Sequence, residues 1–360
     1  MSRLQTVRCH RVGIPLHTPF VTALRRATTV DSLLVEIVDS DGVSGFGEAP
    51  QVWAVTGDSL AGSAACVEGP LATVLAGCDA DDLHDTARRV RQAVVGNLSA
   101  KAAVDEALHD LAARRRGVPL VVLLGGAGHR VPTDVTVSAG DPHAVAQAAD
   151  DRVAEGFGTL KLKVGTDADA DAAKVLAVRE AVGPKVGLRL DANQGWSARE
   201  AVRVIGRLED AGADVELVEQ PIRAADLDGL AWVTDHVQTA IMADESVFGV
   251  RDLVRVIERR AADLVNVKLT KAGGLIPART LLELAEAHDL GTTIGSMMET
   301  HIGVGAAASL AAAIGTTTVN DLDAAWWLER APGRGGPTYE GASIVLPDAP
   351  GLGIEKVARP

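Results

Sequence analysis

The sequence predicts an α/β protein in which a closed (β/α)8-type barrel, a modified TIM barrel, follows an N-terminal α+β domain. From about residue 131, short β-branched segments alternate with long amphipathic helices, a pattern typical of parallel strands joined by crossover helices. Eight such segments occur within about 190 residues, which is the size of a closed barrel. An open doubly wound sheet is the alternative, but it usually contains fewer strands. The eight segments are 134–137, 159–164, 186–191, 215–219, 240–244, 264–268, 292–296 and 318–321.

The first third of the chain has a different character. Residues 4–50 contain short alternating segments separated by polar turns, which predict a β-meander, and residues 58–117 show the spacing of amphipathic helices. After the predicted eighth strand the alternation is lost. We therefore predict an α+β capping domain over residues 1–127, a barrel with the active site over residues 128–324, and a C-terminal segment, 325–360, that returns to the capping domain.

The composition argues against several classes of function. The chain carries 35 Lys and Arg against 48 Asp and Glu, a net charge of −13, whereas binding to nucleic acid needs a basic surface. The cysteines, Cys9, Cys66 and Cys78, include no C-x-x-C pair, so we expect neither a disulfide framework nor a thiolate zinc site. We find no secretory signal pattern, and the most apolar stretch, 302–314, is too short to span a bilayer. We expect a cytoplasmic homo-oligomer that binds a small molecule, and neither nucleic acid nor a membrane.

Acidic side chains end three consecutive predicted strands. Asp191, Glu219 and Asp244 are each separated by one strand–helix unit, so all three can converge on the carboxyl-terminal mouth of the barrel. A lone carboxylate after a strand is more often a helix cap, but three in succession indicate a set of ligands. Oxygen ligands without His or Cys at the same level favour Mg²⁺, or Mn²⁺, over zinc or copper.

Lysines end the predicted strands on both sides of this arc. Lys161 and Lys163 lie on the second strand and point the same way, because side chains alternate along a strand. Lys268 lies on the sixth strand, and strands four apart stand opposite each other in a ring of eight. Two bases on opposite sides of one carbon can remove its proton on one face and return one to the other, through a metal-stabilised enediolate. We expect such lysines to have a pKa of about 7–8 instead of the usual value of about 10.4.

Motifs along the whole chain carry a family resemblance. In the capping domain these are Gly45-Phe46-Gly47-Glu48, and Pro119-Leu120 through Leu124-Gly125-Gly126. In the barrel they are Lys161-x-Lys163, Asp191-Ala192-Asn193, Glu219-Gln220-Pro221, Asp244-Glu245-Ser246 and Lys268-x-x-Lys271-x-Gly273-Gly274. Together these motifs resemble the enolase superfamily, in particular its muconate-lactonising subgroup and, within it, the dipeptide epimerases that act on L-Ala-D/L-Glu.

The resemblance implies roles for these residues. It implies metal ligation by the three carboxylates, acid and base roles for Lys163 and Lys268, and neutralisation of the substrate carboxylate by Lys161. It also implies that Asp321 and Asp323, an Asp-x-Asp pair at the eighth strand, bind the α-ammonium group of a dipeptide.

The resemblance also implies how the second side chain of the dipeptide is selected. Residues 18–29 resemble the mobile loop of the cap, and Arg25 stands where an arginine would pair with a glutamate side chain. Arg26 follows directly, so either arginine can be the one that points inward. Ser296 and Met298, after the seventh strand, are expected to line the pocket.

The predicted activity is Mg²⁺-dependent epimerisation of a dipeptide, of the L-Ala-L-Glu to L-Ala-D-Glu type, by proton transfer between two lysines. The alternative is a muconate cycloisomerase, or an o-succinylbenzoate synthase/N-acylamino acid racemase, because these members of the subgroup share the metal and lysine residues. Asp321 and Asp323 disfavour that alternative, since they would repel an acidic substrate. A Schiff-base aldolase and a metal-stabilised scaffold protein agree less well with three carboxylates between opposed lysines.

Overall fold

The strands and helices of the protein follow the predicted order. In the computed structural model, which describes residues 2–22 and 26–357, an antiparallel meander and helices precede alternating parallel strands and helices. The strands are β1 (Leu4–Val21), β2 (Arg26–Asp39), β3 (Ser44–Pro50), β4 (Arg130–Pro132), β5 (Val135–Val137), β6 (Thr159–Lys163), β7 (Gly187–Asp191), β8 (Val215–Glu219), β9 (Ala240–Ala243), β10 (Leu264–Lys268), β11 (Gly291–Gly295), β12 (Gly333–Gly335), β13 (Thr338–Glu340), β14 (Ser343–Val345) and β15 (Ile354–Val357). The helices are α1 (Leu60–Cys66), α2 (Ala72–Leu75), α3 (Leu83–Ala93), α4 (Leu98–Arg115), α5 (Leu120–Leu123), α6 (Pro142–Ala154), α7 (Ala168–Val182), α8 (Ala198–Asp210), α9 (Leu227–Asp235), α10 (Val250–Arg259), α11 (Leu269–Ala272), α12 (Leu275–Glu286) and α13 (His301–Ile314), with a π-helical turn over Val67–Leu71 and a 3₁₀ turn over Ala324–Trp327.

The parallel strands form one sheet in sequential order from β5 to β11. Helices join successive strands, and apolar residues such as Leu160, Leu188 and Ile241 are fully buried, as expected for strands covered on both faces. The joining helices begin at caps that the sequence provides. Asp167 and Ser197, for example, accept hydrogen bonds from backbone N–H groups of the first turns of α7 and α8. The observed architecture confirms the predicted fold class.

The predicted eighth strand, 318–321, is not a regular strand. Instead, Asn320 bridges to Thr133 and Asp321 bridges to Gly295, so two residues join the β11 edge to the chain just before β5. The Asn320 side chain accepts a hydrogen bond from Ile294 N (3.3 Å) and so takes a donor that a backbone ladder would use. The chain then turns directly into the 3₁₀ turn, which leaves no room for a longer strand.

The N-terminal meander, with strand order β1-β2-β3, packs on α4. At Gly47, a Cβ atom would lie 2.0 Å from Ala103 O, and at Gly45 it would lie 2.2 Å from Ala107 O. Only glycine allows the strand to approach the helix this closely. The Gly45-x-Gly47 pair is therefore a packing feature between β3 and α4.

Strands β1 and β2 form a long hairpin, in which Phe20 pairs with Ala27 and Val21 with Arg26. Residues 18–21 and 26–29 of the predicted loop are therefore strand, and the cross-strand pairing of β1 with β2 extends into them. Arg25, predicted to contact the substrate side chain, lies outside the described residues.

The C-terminal segment contacts both preceding parts of the chain. Its strand β14 lies between β13 and β4, and β12 pairs with β15. Asp110 on α4 accepts a hydrogen bond from Leu352 N (2.6 Å), and Arg114 donates to Ile354 O (2.6 Å). These bonds fix the end of the chain against the main helix of the cap.

The cysteines and helices bear on two further predictions. Cys9, Cys66 and Cys78 are free, and burial together with Glu68 raises the pKa of the Cys9 thiol to about 12, which disfavours the reactive thiolate. No helix in the described part of the chain has the length and apolar character needed to cross a membrane.

Candidate active site

A small, partly open cavity lies where the carboxyl ends of the parallel strands meet. Such ends form the active sites of barrel enzymes, because the loops that follow the strands meet there. The residues that line the cavity come from the barrel, the hairpin tip and the segment after β3. They are Phe20, Thr22, Ala54, Val55, Thr136, Lys163, Asn193, Asp244, Glu245, Lys268, Ser296, Met297, Met298, Asp321, Asp323 and Ala324.

Three predicted ligand carboxylates lie at the ends of adjacent strands. Asp191 pairs in register with Lys163 on one side and with Glu219 on the other, so these three residues occupy one level of the sheet. Asp244 directly follows β9, the next strand in the sheet. All three carboxylates are about 1% exposed. Strand order and register therefore bring together the acidic residues that the sequence singled out.

Ammonium groups pair with each of these carboxylates. Lys161 Nζ lies 3.2 Å from Asp191, 2.6 Å from Glu219 and 2.8 Å from Asp321. Lys163 Nζ donates to Asp191 Oδ2 (2.6 Å), and Lys268 Nζ donates to Asp244 Oδ2 (2.9 Å). In residues 2–22 and 26–357, no group of three acidic, His or Cys side chains is arranged around a common point that could hold a metal ion.

The electrostatics of the carboxylates nevertheless fit a divalent cation. Burial would raise the pKa of Asp191, but Lys163 and Lys161 outweigh it and lower that pKa to about 2. Burial and the neighbouring Asp191 charge raise the pKa of Glu219 to about 8. Glu219 Oε2 also accepts no well-directed hydrogen bond among the described residues, despite its short contact with Lys161. Crowded carboxylates with an unsatisfied oxygen form the donor set that Mg²⁺ prefers.

The two candidate proton-transfer lysines come from strands that are far apart in the sheet. Lys163 ends β6 and Lys268 ends β10, four strands along the sheet, and both line the cavity. Lys163 Nζ also lies 5.8 Å from the centre of the Phe20 ring on the hairpin. For Lys268 the expected low pKa is not found. Burial would lower this pKa, but the charges of Asp244 and Glu219 outweigh burial and raise it.

Both residues of the Asp-x-Asp pair line the cavity, and Asp321 shares Lys161 with Asp191 and Glu219. Asp321 Oδ2 accepts from Lys161 Nζ (2.8 Å) and Asn266 Nδ2 (3.3 Å). Asp323 Oδ2 accepts from Thr136 N (2.7 Å) and from an indole N–H on the 3₁₀ turn (2.8 Å). Burial and the Asp321 charge raise the pKa of Asp323, so the pair presents one strong negative charge and one weaker acid.

The remaining predicted substrate contacts have different outcomes. Ser296 and Met298 line the cavity, as do their neighbours in the loop after β11. Lys161 is buried among carboxylates and is not part of the cavity wall formed by the described residues, so its contact with a substrate stays a prediction. Arg26, the alternative to Arg25, is exposed at the first position of β2.

Two polar residues near the site were not assigned roles from the sequence. Lys271 Nζ donates to the side-chain and backbone oxygens of Asp244, and Asn266 Nδ2 donates to Glu219 Oε1 (3.0 Å). The sequence shows Lys271 as part of the Lys268-x-x-Lys271 motif. Its contact with Asp244 could not be predicted from that spacing, because the contact depends on the short helix α11. Asn266 precedes Lys268 by two residues on β10. Because side chains alternate along a strand, this spacing could have predicted that both side chains lie on the same face of the sheet.

Comparisons with known proteins agree with this geometry. The model described as "Mandelate racemase / muconate lactonizing enzyme, N-terminal domain" matches residues 4–125, and the model described as "Enolase C-terminal domain-like" matches residues 144–357, more than half of the chain. The chain belongs to the mandelate racemase/muconate lactonizing enzyme family. This assignment confirms the resemblance derived from the motifs.

Members of the mandelate racemase/muconate lactonizing enzyme family match this chain over nearly its full length. The L-Ala-D/L-Glu epimerase of Bacillus subtilis is 44% identical over 97% of this chain and 95% of its own, and that of Clostridium acetobutylicum is 41% identical over 96% and 97%. The structure of a substrate-liganded complex of the B. subtilis enzyme has a TM-score of 0.96 at 42% identity and covers 99% of both chains. A dipeptide epimerase from Enterococcus faecalis, solved with Mg and the dipeptide L-Leu-L-Tyr, has a TM-score of 0.94 at 39% identity, over 98% of this chain and 100% of its own.

Proposed function

We propose that this family member is a Mg²⁺-dependent dipeptide epimerase that inverts the α-carbon of the second residue of a dipeptide of the L-Ala-L-Glu type. One observation carries the proposal: Lys163 and Lys268 end strands four apart and line the same cavity. The relatives named above are dipeptide epimerases, and they align with this chain over nearly its full length. The positions of the two lysines and the activity of these relatives therefore support the same reaction.

The two lysines would exchange roles with the direction of the reaction. One lysine, as the neutral amine, takes the α-proton from one face of the substrate carbon. The opposite lysine, as the ammonium ion, gives its proton to the other face. Lys268 can be a neutral amine only when the charges of Asp244 and Glu219, which now raise its pKa, are offset.

Asp191, Glu219 and Asp244 would hold the cation. Bound Mg²⁺ supplies positive charge for the carboxylate next to the reacting carbon, where negative charge develops as the proton leaves. The Lys161 ammonium, now shared by Asp191, Glu219 and Asp321, would then be available to bind the same substrate carboxylate. Lys161 would thereby share in holding the acid end of the dipeptide.

Asp321 and Asp323 would bind the α-ammonium group of the dipeptide. Both line the cavity, and each uses one oxygen for internal hydrogen bonds. An ammonium ion between two buried carboxyls makes charge-assisted hydrogen bonds, whereas a dicarboxylate substrate of a cycloisomerase would be repelled. The wall would continue through Ser296 and Met298, and Arg25 would meet the second side chain of the dipeptide.

Proton exchange in D₂O tests this function. With Mg²⁺ present, L-Ala-L-Glu should lose its glutamate α-proton signal and yield L-Ala-D-Glu, and EDTA should stop both processes until Mg²⁺ is restored. A library of L,L-dipeptides in the same assay would define the preferred second side chain. Absence of exchange with every dipeptide would reject the proposal, and turnover of muconate instead would favour the cycloisomerase.

The domain division at residues 127 and 324, the cytoplasmic location and the homo-oligomer remain predictions.

A further inference from the structure

Three glutamates meet behind the wall of the substrate cavity, where the cap contacts the barrel. Glu48 lies on β3, Glu106 on α4, and Glu299 just before α13, and each is at most 1% exposed. The proposed proton transfer uses none of them. A cluster of buried acids between two parts of the fold costs stability unless its protons and hydrogen bonds are well arranged.

Glu48 is the member whose negative charge the structure stabilises best. Its carboxylate accepts hydrogen bonds from Thr300 N (2.8 Å), Thr300 Oγ1 (2.5 Å) and Gly303 N (3.0 Å) in the first turn of α13. Free N–H groups and the positive end of the helix both favour a carboxylate at this position. Glu106 differs, because its Oε1 is buried and accepts no hydrogen bond among the described residues, although Oε2 accepts from Glu48 N (3.0 Å). A proton on Glu106 Oε1 would therefore displace no existing bond.

Glu299 connects this cluster to the cavity. Its Oε1 accepts a hydrogen bond from Met297 N (2.7 Å), and Met297 and Met298 both line the cavity. Its Oε2 lies so close to α13 that a Cβ atom at Gly303 would be 2.3 Å away. The side chain is thus held between the helix and the loop that forms part of the cavity wall.

Burial and the neighbouring carboxylates disfavour negative charge in the cluster. Burial and the Glu48 charge raise the pKa of Glu299 to about 8, while burial and the Glu299 charge raise the pKa of Glu106 well above its ordinary value. Asp105 on α4 adds to the shift of Glu106, and Lys268 on β10 lowers the pKa of Glu299 without reversing the shift. Helix α4 also carries Lys101, His109, Asp110, Arg114 and Arg115, of which His109 lies next to Asp105, and His301 is the first residue of α13. Hydrogen bonds from Thr300 and Gly303 lower the pKa of Glu48, but burial outweighs them and raises it as well, so a second negative charge in the cluster is disfavoured.

We propose that Glu299, packed against α13 beside Glu48 and Glu106 and hydrogen-bonded to Met297 N, is a positioning residue that fixes Met297 and Met298 in the wall of the substrate cavity. A second negative charge in the cluster repels the first in a site that water does not reach. Glu299 and the loop it holds then move away from Glu48. The cavity wall is thus fixed at neutral pH and loosens at alkaline pH.

Amide hydrogen exchange tests the proposal without any substrate. The protection of Met297 N–H is measured between about pH 6 and about pH 9, with its intrinsic exchange rate divided out. In the unaltered protein, protection should fall up to about tenfold per pH unit above about pH 8. Glu299→Gln keeps an acceptor for Met297 N without an ionisable group, so its protection should not change with pH. A Gln variant that loses protection as the unaltered protein does would overturn the proposal.

Kinetic constants give a second measurement. With a dipeptide substrate, Glu299→Ala should raise KM about tenfold and change kcat less, because the wall shapes binding, and Glu299→Gln should restore KM. Unchanged constants in the Ala variant would also overturn the proposal, and if that variant does not fold, the Gln variant carries the test alone. Glu209→Gln is the matched control, because Glu209 also accepts backbone N–H bonds, from Gln238 (2.8 Å) and Thr239 (2.7 Å), far from the cavity. It should alter neither KM nor Met297 protection. If no dipeptide is turned over, the proposed function fails while the exchange result still stands.

Discussion

Replacing one of the two opposed lysines should leave an enzyme that exchanges the proton of one epimer and inverts neither. Lys163→Gln and Lys268→Gln are suitable changes, because the amide can still donate to Asp191 or to Asp244, which the lysines now contact at 2.6 and 2.9 Å. We expect a large loss of the inversion rate, because in the proposed reaction each lysine serves one face of the substrate carbon. Loss of one acid–base group costs about 10²- to 10⁴-fold in rate, or about 3–5 kcal/mol of transition-state stabilisation.

The assay follows deuterium incorporation into L-Ala-L-Glu and L-Ala-D-Glu separately, in D₂O with Mg²⁺. One variant should exchange only the L,L epimer and the other only the L,D epimer, while inversion falls at least about a hundredfold in both. Lys101→Gln is the control, because Lys101 is also buried but donates to backbone carbonyls in the cap, Arg91 O (3.0 Å) and Val94 O (2.6 Å), and does not line the cavity. Exchange of the same epimer by both lysine variants would refute the two-sided arrangement.

Three further changes test other parts of the molecule. Gly47→Ala should lower the free energy of unfolding by at least ~2 kcal/mol, because its Cβ would lie 2.0 Å from a helix carbonyl. Gly69→Ala is the control and should be nearly neutral, because its Cβ would meet no atom within 4 Å. Equal stability of the two variants in denaturant titrations would contradict the packing argument. Asp323→Asn should raise KM for a dipeptide at least about tenfold but leave an N-acetylated dipeptide unaffected, and equal effects on both substrates would argue against ammonium binding. Burial raises the pKa of Glu106 above its ordinary value of 4.5, so the native state keeps a proton that the unfolded chain releases. The free energy of unfolding should therefore fall as pH rises above about 4.5, by up to ~1.4 kcal/mol per pH unit for this group. Urea titrations at several pH values should show a smaller slope for Glu106→Gln. An identical slope in both proteins would show that Glu106 does not contribute to the pH dependence of stability.

The fold could be predicted where short segments rich in Leu or Val recur between longer helical segments. Strands β6 to β8 each contain Leu or Val residues around an internal charged residue and end in a charged residue, so their positions followed from the sequence. The eighth segment could not be read the same way, because Thr318, Asn320 and Asp321 use their side chains for hydrogen bonds that compete with a ladder. The hairpin of β1 and β2 was missed over residues 18–21 and 26–29, since its length depends on cross-strand pairing that local spacing does not show.

The candidate site could be predicted to the extent that one residue per strand reaches the mouth of the barrel. The positions of Asp191, Glu219 and Asp244 at the ends of adjacent strands followed from the strand pattern, and their role as metal ligands stays a prediction. The raised pKa of Lys268 could not be found, since it depends on distances between side chains of different strands. Glu48 and Glu299 are far apart in sequence, and nothing local links a carboxylate in the cap to the helix it caps in the barrel.

The balance of charge around the cavity explains why a cation and an anionic substrate belong together at this site. When fully ionised, four carboxylates face four amines, so these groups alone are neutral. The carboxylates are Asp191, Glu219, Asp244 and Asp321, and the amines are Lys161, Lys163, Lys268 and Lys271. A divalent cation would leave two positive charges in excess, which favours loss of a proton from one lysine. That loss produces the neutral amine that the reaction needs, and a dipeptide with two carboxylates and one ammonium group offsets the remaining charge. In the proposed reaction, the paired lysines would thus couple proton removal to the binding of the cation and of the substrate.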